Sequence, residues 1–189
     1  MLVVELTDVV FVFEVHQPFR LRKGFFWERM MFRRGSKEGL FDFYFDSAKN
    51  REMFERACRK CYFPSNEILL RLIDEYRGEK RSPKVSFSIS GIFLEQCEMY
   101  SPDLLESFKQ LSETGNVEFL DQTYYHSLAG LYPVRDEFIE QVRMHRQAMK
   151  DLLHAEPLTF ENTELLYNNA IAKTVEEMGY IGIFTEGVD

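Results

Sequence analysis

The sequence predicts an α/β fold of parallel β/α units, about five of them in 189 residues. Short apolar segments alternate with longer segments of helical periodicity, which indicates parallel strands joined by right-handed helical crossovers. The first apolar run, residues 9–13, is continuous, as in a strand that is buried on both faces of a parallel sheet. Such units fit part of a barrel or an open doubly wound sheet. No glycine-rich phosphate loop follows the first strand, which counts against a nucleotide-binding open sheet.

The first strand ends at His16-Gln17-Pro18, because proline cannot continue the sheet ladder. An aromatic, irregular segment follows at residues 19–50 and contains Trp27. We interpret it as a lid over the site, since loops of this length in a compact domain are usually functional. Residues 52–76 have a helical pattern, which Pro64 should divide into two helices.

The second half of the chain repeats the alternation. Pro102 at the first helical position and Gly115 as the stop define one helix over residues 102–114, with Ser101 as its N-cap. The other predicted elements are strands at 85–89, 117–121, 158–160 and 180–184, a loop at 122–132, and helices at 135–154 and from about 168 to 178, the last capped by Gly179.

Charge and cysteine content limit the class of protein. The net charge of −8 argues against nucleic-acid and anionic-membrane partners. The apolar N-terminus contains Glu5 and Asp8 and no preceding basic residues, so we expect neither a signal peptide nor a membrane span. Three cysteines in an acidic chain without an export signal predict reduced thiols and a cytoplasmic protein.

Side chains that follow parallel strands converge at one mouth of a barrel. Here this set is His16 and Gln17 after the first strand, Ser90 after the second, Tyr125 and His126 after the third, and Glu164 after the fourth. Aromatic rings beside carboxylate, imidazole and amide groups suit a sugar. A carboxylate in such a pocket can act as a nucleophile toward an anomeric carbon or as a general base.

Each of these residues also has a structural interpretation. Glu164 can be a first-turn carboxylate that is favoured by the helix dipole. His16 can be a turn residue, and His126 can be ordinary packing beside tyrosines.

We expect no metal and no cofactor. Cys58 and Cys61 have CxxC spacing, but a structural zinc site needs two further ligands, and Cys97 has no partner at ligand spacing. Their spacing puts both thiols on one helix face, which favours core packing. A zinc-dependent deacetylase would need aspartates at the end of the first strand, where this sequence has Glu14-Val15-His16.

Three blocks of this sequence resemble glycoside hydrolase family 57, in its archaeal α-amylase-like branch. They are FEVHQP at residues 13–18, GNVEFLDQTYYHSL at 115–128 and FENTELLYNN at 160–169. KCYFPSNEILLRLIDEY at 60–76 and FSISGIFLEQ at 87–96 are also similar to the family, so the resemblance covers nearly the whole chain.

The resemblance implies a seven-stranded (β/α) barrel that cleaves or transfers α-1,4-glucans with retention of configuration. Glu164 corresponds to the nucleophile, and His16 and His126 correspond to groups that line the subsite of the scissile sugar. Gln17, Tyr125 and Trp27 complete the expected substrate contacts. The expected substrate is an α-glucan or a maltooligosaccharide.

The general acid of the family is an aspartate on a later strand, and no residue of this chain corresponds to it. A retaining mechanism needs this second carboxyl group about 5–5.5 Å from the first. We therefore expect residues 1–189 to be the N-terminal part of one barrel domain. An incomplete barrel leaves strand edges unpaired, which a second polypeptide could complete. The alternatives are a 4-α-glucanotransferase of the same family and an inactive glucan-binding fragment.

Overall fold

The computed structural model describes residues 9–24, 39–80 and 82–187. Five parallel strands in this part of the chain alternate with helices: β1 Val12–Val15, β2 Val85–Ile89, β3 Val117–Leu120, β4 Thr159–Glu161 and β5 Gly182–Phe184. The α-helices are α1 Leu40–Tyr44, α2 Ser47–Ala57, α3 Phe63–Glu75, α4 Gly91–Tyr100, α5 Pro102–Glu113, α6 Asp136–Leu153 and α7 Asn169–Glu177. A π-helical segment, Cys58–Tyr62, joins α2 to α3, and 3₁₀ turns lie at Ala129–Leu131 and Thr163–Leu165.

The strands follow one another in chain order. β1, β2 and β3 form a parallel sheet, and β4 pairs in parallel with β5. A bridge between Asp121 and Phe160 joins the two groups, with the Glu161 amide donating to the Asp121 carbonyl at 2.8 Å. Within the described residues, no strand pairs with the outer edge of β1 or of β5. The predicted α/β class and parallel order are confirmed, and closure into a seven-stranded barrel stays a prediction.

The outer face of the sheet is apolar and carries the helices. Phe13, Phe87 and Phe119 lie side by side in register, and the ring of Phe108 on α5 packs edge-on against Phe87 at 5.5 Å. A second buried cluster surrounds Phe160 and packs β4 against α6 and α7. Each fully buried side chain of this size contributes about 1.5–3 kcal/mol relative to an exposed one.

The inner face is polar. Because successive strand residues point to opposite faces, the residues between the phenylalanines face inward. Glu14 pairs with Ser88 in register, and Gln122 and Glu161 continue the row beyond β3 and on β4. This alternation differs from the predicted continuous apolar strand at 9–13: β1 begins at Val12, and residues 9–11 are exposed.

The chain stays helical through Pro64, and a π-helical segment rather than a break at the proline separates α2 from α3. Tyr62 and Phe63 keep right-handed helical backbone angles, and the Phe63 amide bonds to the carbonyl of Cys58. The π turn widens the helix just before Pro64, and the proline then lies in the first turn of α3, where its missing N–H costs little. The same turn separates the two thiols: Cys58 is buried, but Cys61 is exposed, so the prediction that both share one core-facing side is wrong.

Residues 91–100 carry no predicted element, yet they form α4. Gly91, Phe93, Leu94, Gln96 and Cys97 are all buried. Gln96 is buried and Met99 is exposed, so the sequence does not separate cleanly into an apolar and a polar face and helical periodicity is hard to see. α1 and the first turn of α2 also lie within the segment 19–50 that was predicted to be irregular. The helices α5, α6 and α7, the strand at β2 and the stops at Gly115 and Gly179, which both have positive φ, agree with the sequence prediction.

The predicted lid lies only partly within the described residues, which include α1 and the start of α2 and leave out Trp27. Phe19, Phe41 and Phe45 form an aromatic cluster with ring centroids 4.9–5.5 Å apart, beside a bridge from Leu21 to Phe45. The lid role stays a prediction. Among the helices described, none combines the length and apolar character needed to cross a bilayer.

Candidate active site

Three of the predicted residues meet at the carboxyl ends of the strands. His16 follows β1, His126 follows β3 and Glu164 follows β4. The rings of His16 and His126 stack with centroids 4.2 Å apart and an interplanar angle of 24°. Oε1 of Glu164 lies 3.7 Å from Nε2 of His126. Residues from three separate loops therefore form one cluster.

Two residues of this cluster have a left-handed backbone. His126 has φ 52° and Glu164 has φ 56°, values that residues other than glycine rarely adopt. Such conformations cost of order 1–3 kcal/mol each and persist where the surroundings impose them. Here the Thr123 and Thr163 hydroxyls bond to each other at 3.0 Å, which ties the two loops together.

Glu14 is a member of this cluster that the sequence analysis did not select. Its Oε1 lies 3.2 Å from Nε2 of His126, closer than the Glu164 oxygen. The available signal was the alternation of Phe13, Glu14 and Val15, which puts the carboxylate on the opposite face from Phe13. Two carboxylates thus share one imidazole nitrogen.

His16 is held in its neutral form. Burial, first, and the adjacent His126 together lower the pKa of His16 to about 4, against a smaller opposing effect of Glu164. Nδ1 of His16 lies 2.8 Å from the Ser90 hydroxyl, so Ser90 also reaches the cluster. Glu164, by contrast, has 73% of its side chain exposed. The cluster thus combines an accessible carboxylate with a neutral imidazole.

A buried polar layer lies beneath the cluster on the inner face of the sheet. Nε2 of Gln122 donates to the Ser88 hydroxyl at 2.9 Å, and Oε1 of Gln122 lies 3.0 Å from Nδ1 of His126. The pKa of the nearby Glu161 carboxyl is raised. Burial is the main cause, Ser88 opposes it, and the Glu14 charge adds to it. Oε2 of Glu161 is buried and has no hydrogen-bond partner in the described part of the chain.

Comparison with known proteins identifies the family. The profile of Glycosyl hydrolase family 57 matches residues 10–189. The chain belongs to glycosyl hydrolase family 57. It is 42% identical over 181 residues to a Methanocaldococcus jannaschii protein named "Putative alpha-amylase", and this match covers 96% of the chain and 36% of that protein. The family 57 chain therefore spans about a third of the length of this relative.

Solved structures of low sequence identity have the same fold. The 4-alpha-glucanotransferase of Thermococcus litoralis superposes with a TM-score of 0.65 at 20% identity, over 92% of the family 57 chain and 21% of that enzyme. A GH57 branching enzyme of Thermococcus kodakaraensis gives a TM-score of 0.61 at 13% identity, over 92% and 38% of the two chains.

Gln17 and Tyr125, two further predicted residues of the family 57 chain, lie outside the His126–Glu164 cluster. The Gln17 amide donates to the Tyr62 hydroxyl at 3.0 Å and accepts from Arg20 at 3.2 Å. The ring of Tyr125 is exposed and packs edge-on against Tyr124. Trp27 lies outside the described residues. Contact of these three residues with substrate stays a prediction.

His145 and Asp121 form a structural pair behind the site. Both are fully buried, and Nδ1 of His145 bonds to Asp121, which also accepts from the Tyr180 hydroxyl. Nε2 of His145 lies 2.6 Å from the carbonyl of Ile89. This network ties β2, the end of β3, α6 and Tyr180 together. Within the described residues, no group of three or more histidine, cysteine, aspartate or glutamate side chains could hold a metal ion.

Proposed function

We propose that this chain is the N-terminal part of a retaining, α-amylase-like enzyme that acts on α-1,4-glucans, with Glu164 as the nucleophile. The observation that carries the proposal is the convergence of Glu164, His126 and His16 from three strand ends, with Oε1 of Glu164 3.7 Å from Nε2 of His126. Family membership supports a glycoside-active enzyme. The name of the M. jannaschii relative supports an α-glucan substrate.

Each side chain of the cluster has a distinct part in this mechanism. The Glu164 carboxylate attacks the anomeric carbon as the glycosidic C–O bond breaks, and the leaving sugar oxygen takes a proton from the second carboxyl group. Water, deprotonated by that same group, then hydrolyses the glycosyl-enzyme and frees Glu164. His126 holds that carboxylate through Nε2, the nitrogen that Glu14 also contacts. His16, neutral because its pKa is lowered to about 4, offers a hydrogen-bonding edge to a sugar hydroxyl without adding charge.

The second carboxyl group of the mechanism belongs, in this proposal, to a segment that completes the sheet. The open edges of β1 and β5 give further strands a place to pair. The chain spans 36% of the length of its M. jannaschii relative, which supports a missing segment. Such a segment would also cover the exposed side of Glu164 and exclude water from the site.

Tyr125 and Trp27 are the proposed aromatic contacts of the glucan, and Gln17 is a proposed polar contact. The exposed Tyr125 ring suits the apolar face of a glucose unit. We also propose a cytoplasmic location, since the three cysteines are free thiols in this structure.

The decisive test is Glu164→Gln, assayed with the polypeptide that completes the sheet. We expect hydrolysis of maltooligosaccharides to fall at least about 10³-fold, because the amide cannot act as a nucleophile. Calorimetry should show largely unchanged binding, since the amide keeps the shape of the side chain. Glu156→Gln, an exposed glutamate after α6, is the matched control and should retain full turnover. Unchanged turnover in Glu164→Gln would mean that another residue is the nucleophile.

Product analysis separates hydrolysis from transfer. With maltotriose as the substrate, a hydrolase produces shorter sugars alone, whereas a 4-α-glucanotransferase also produces longer ones. Binding of maltooligosaccharides without turnover, even with the completing polypeptide present, would identify a glucan-binding protein and overturn the enzymatic proposal.

A further inference from the structure

His145, on α6, is a buried histidine whose two ring nitrogens both face hydrogen-bond acceptors. Nε2 lies 2.6 Å from the carbonyl oxygen of Ile89, and a carbonyl oxygen can only accept, so Nε2 carries a hydrogen. Nδ1 contacts the Asp121 carboxylate. The side chains of His145 and Asp121 are both 0% exposed, so water does not replace either partner. The protonation of Nδ1 therefore depends on the state of Asp121.

The hydrogen bonds of Asp121 favour an ionised carboxylate. Its Oδ1 accepts from the Gln122 amide at 3.1 Å, a shorter contact than the 3.4 Å between that amide and Nδ1 of His145. Its Oδ2 accepts from the Tyr180 hydroxyl, and from Nε of Arg146 at 3.4 Å. A carboxyl group that accepts several hydrogen bonds, one of them from a cation, is favoured in its charged form. The hydrogen between the two side chains therefore resides on Nδ1 of His145.

A second ring hydrogen makes His145 an imidazolium in the interior of the protein. A buried positive charge persists only beside a negative partner, which Asp121 provides. Arg146 is the other cation at this carboxylate, but 43% of its side chain is exposed, so solvent stabilises its charge. Burial, first, and the Asp121 charge raise the pKa of Tyr180, so its hydroxyl stays a neutral donor. The buried charges of this group are therefore those of His145 and Asp121.

One side of this ion pair is connected to His16. The carbonyl of Ile89, which His145 holds, belongs to the same peptide group as the amide of Ser90. That amide donates to the carbonyl of Val15 at 3.1 Å, and His16 is the next residue. Nδ1 of His16 also lies 2.8 Å from the Ser90 hydroxyl. His145 therefore fixes the peptide group through which β2 supports His16.

The other side of the ion pair is connected to His126 and Glu164. Gln122, whose amide donates to the Asp121 carboxylate, has its side-chain oxygen 3.0 Å from Nδ1 of His126. The carbonyl of Asp121 accepts from the Glu161 amide at 2.8 Å, three residues before Glu164. The ends of the three strands that precede the site residues thus meet at one buried pair.

We propose that His145 is doubly protonated at neutral pH and is a positioning residue for the candidate active site. Its ion pair with Asp121 holds the ends of β2, β3 and β4, and so sets the spacing of the site residues that follow the strands. Neither member of the pair contacts the reacting atoms. The proposal rests on the proposed function only in that Glu164 is the nucleophile of the site.

The first test reads the His145 ring directly and needs no substrate. ¹⁵N-detected NMR counts the protons on each imidazole, and single replacements of the other three histidines assign the signals. At neutral pH we expect protons on both nitrogens of His145, in slow exchange with water because the ring is fully buried. A single ring proton on His145 in the folded chain would overturn the proposal.

Asp121→Asn removes the negative charge with little change in shape. We expect His145 to lose the Nδ1 proton and to keep the one on Nε2, because an unpaired buried cation is costly. The ring signals of His16 and His126, which stack on each other, should shift as well. Two protons retained on His145, or unchanged signals from both site rings, would overturn the proposal. If Asp121→Asn does not fold, His145→Gln, which cannot donate to both acceptors as a cation, gives the same readout at the site rings.

Tyr180→Phe is the matched control, because it removes a different hydrogen bond of the same carboxylate and leaves the ion pair in place. We expect His145 to keep both ring protons and the signals of His16 and His126 to stay unchanged. Equal shifts of the site rings in Tyr180→Phe and Asp121→Asn would show that any loosening of this region moves the site, and would overturn the proposal.

Kinetics of the completed enzyme distinguish this inference from the proposed function. Asp121→Asn should lower kcat by up to about 100-fold with a smaller change in KM, as expected for misplaced catalytic groups, and Tyr180→Phe should retain turnover. An unchanged kcat in a folded Asp121→Asn variant would overturn this inference. Full turnover in Glu164→Gln, with His145 doubly protonated, would overturn the nucleophile assignment alone. An inactive Glu164→Gln variant, with one proton on His145, would overturn the positioning role alone.

Discussion

His126 is the residue on which the candidate site depends, because its two ring nitrogens face different parts of the molecule. Nδ1 is bound to the buried layer through Gln122, and Nε2 faces the carboxylates of Glu14 and Glu164. His16 covers one side of the ring. The orientation of one imidazole thus couples the interior of the sheet to the accessible carboxylate.

His16 should make stability depend on pH. Its pKa is lowered from 6.5 to about 4, chiefly by burial, so the folded state resists a proton that the unfolded state accepts below pH 6.5. The free energy of unfolding is therefore highest above pH 6.5 and falls as the pH is lowered toward 4. Urea unfolding at several pH values between 4 and 7.5 measures it. His16→Asn, which cannot titrate, should lose less stability over this range.

The control for this measurement is His154→Asn, which removes a histidine at the exposed end of α6. This variant should keep the acid sensitivity of the unaltered chain. If His16→Asn and the unaltered chain lost stability in parallel, His16 would not be the group responsible.

The loop after β3 is positioned by its packing on α4. The Tyr124 ring lies against the backbone of Gly91, its hydroxyl donates to Glu95 at 2.8 Å, and its carbonyl accepts from the Ile92 amide at 3.3 Å. His126 is two residues further along the same loop. The position of the loop that carries His126 therefore depends on α4, a helix that the sequence analysis did not predict.

Gly91→Ala should disturb this packing, because its new methyl group would lie 2.6 Å from Cγ of Tyr124. We expect a loss of about 1–3 kcal/mol in the free energy of unfolding, as for other overpacked cores. Denaturant unfolding measures the loss, and the NMR signals of His126 should shift with the loop. Gly130→Ala, where the nearest side-chain atoms are 3.3 Å away, should cost less. Equal losses in the two variants would contradict this packing argument.

The elements that the sequence predicted well are those whose signals are local. β2 and the helix stops at Gly115 and Gly179 depend on a short apolar run or on one glycine with positive φ. Pro64 misled because a π turn, which has no local sequence signal, changes the hydrogen bonding just before it. The exposure of Cys61 has the same cause.

The candidate site was predictable only as far as strand ends could be located. His16, His126 and Glu164 follow strands directly, so their convergence followed from parallel pairing alone. Alternation puts Glu14 on the opposite face from Phe13 but does not show which residues meet its carboxylate, and Glu161 lies in a strand of only three residues. Their contribution required the register between strands, which only the three-dimensional structure provides.

At the scale of the whole molecule, the described strands form an open row of parallel strands, with exposed apolar residues near both of its edges. Residues 9–11 precede β1 and Ile181 precedes β5, and all are exposed. Unpaired strand edges with apolar neighbours favour association between chains. The two buried clusters, around Phe87 and around Phe160, lie on the outer face, so neither covers these edges.

Charge at the β1 edge should therefore reduce self-association of the isolated chain. Val10 is 65% exposed at this edge, and Val134, in the turn before α6, is 69% exposed. We expect Val10→Lys to raise the monomer fraction in sedimentation velocity at a fixed protein concentration, and Val134→Lys to leave it unchanged. An equal response of both variants would mean that general surface charge, rather than the strand edge, controls association.

At position 164 the left-handed backbone makes the residue that favours stability different from the residue that the proposed reaction requires. Glycine adopts that conformation without steric penalty, whereas the side chain of Glu164 is mostly in solvent and has little packing to lose. Selection for heat resistance alone would thus favour glycine over the carboxylate that we propose as the nucleophile. Engineering of this chain should hold that position constant and seek added robustness elsewhere.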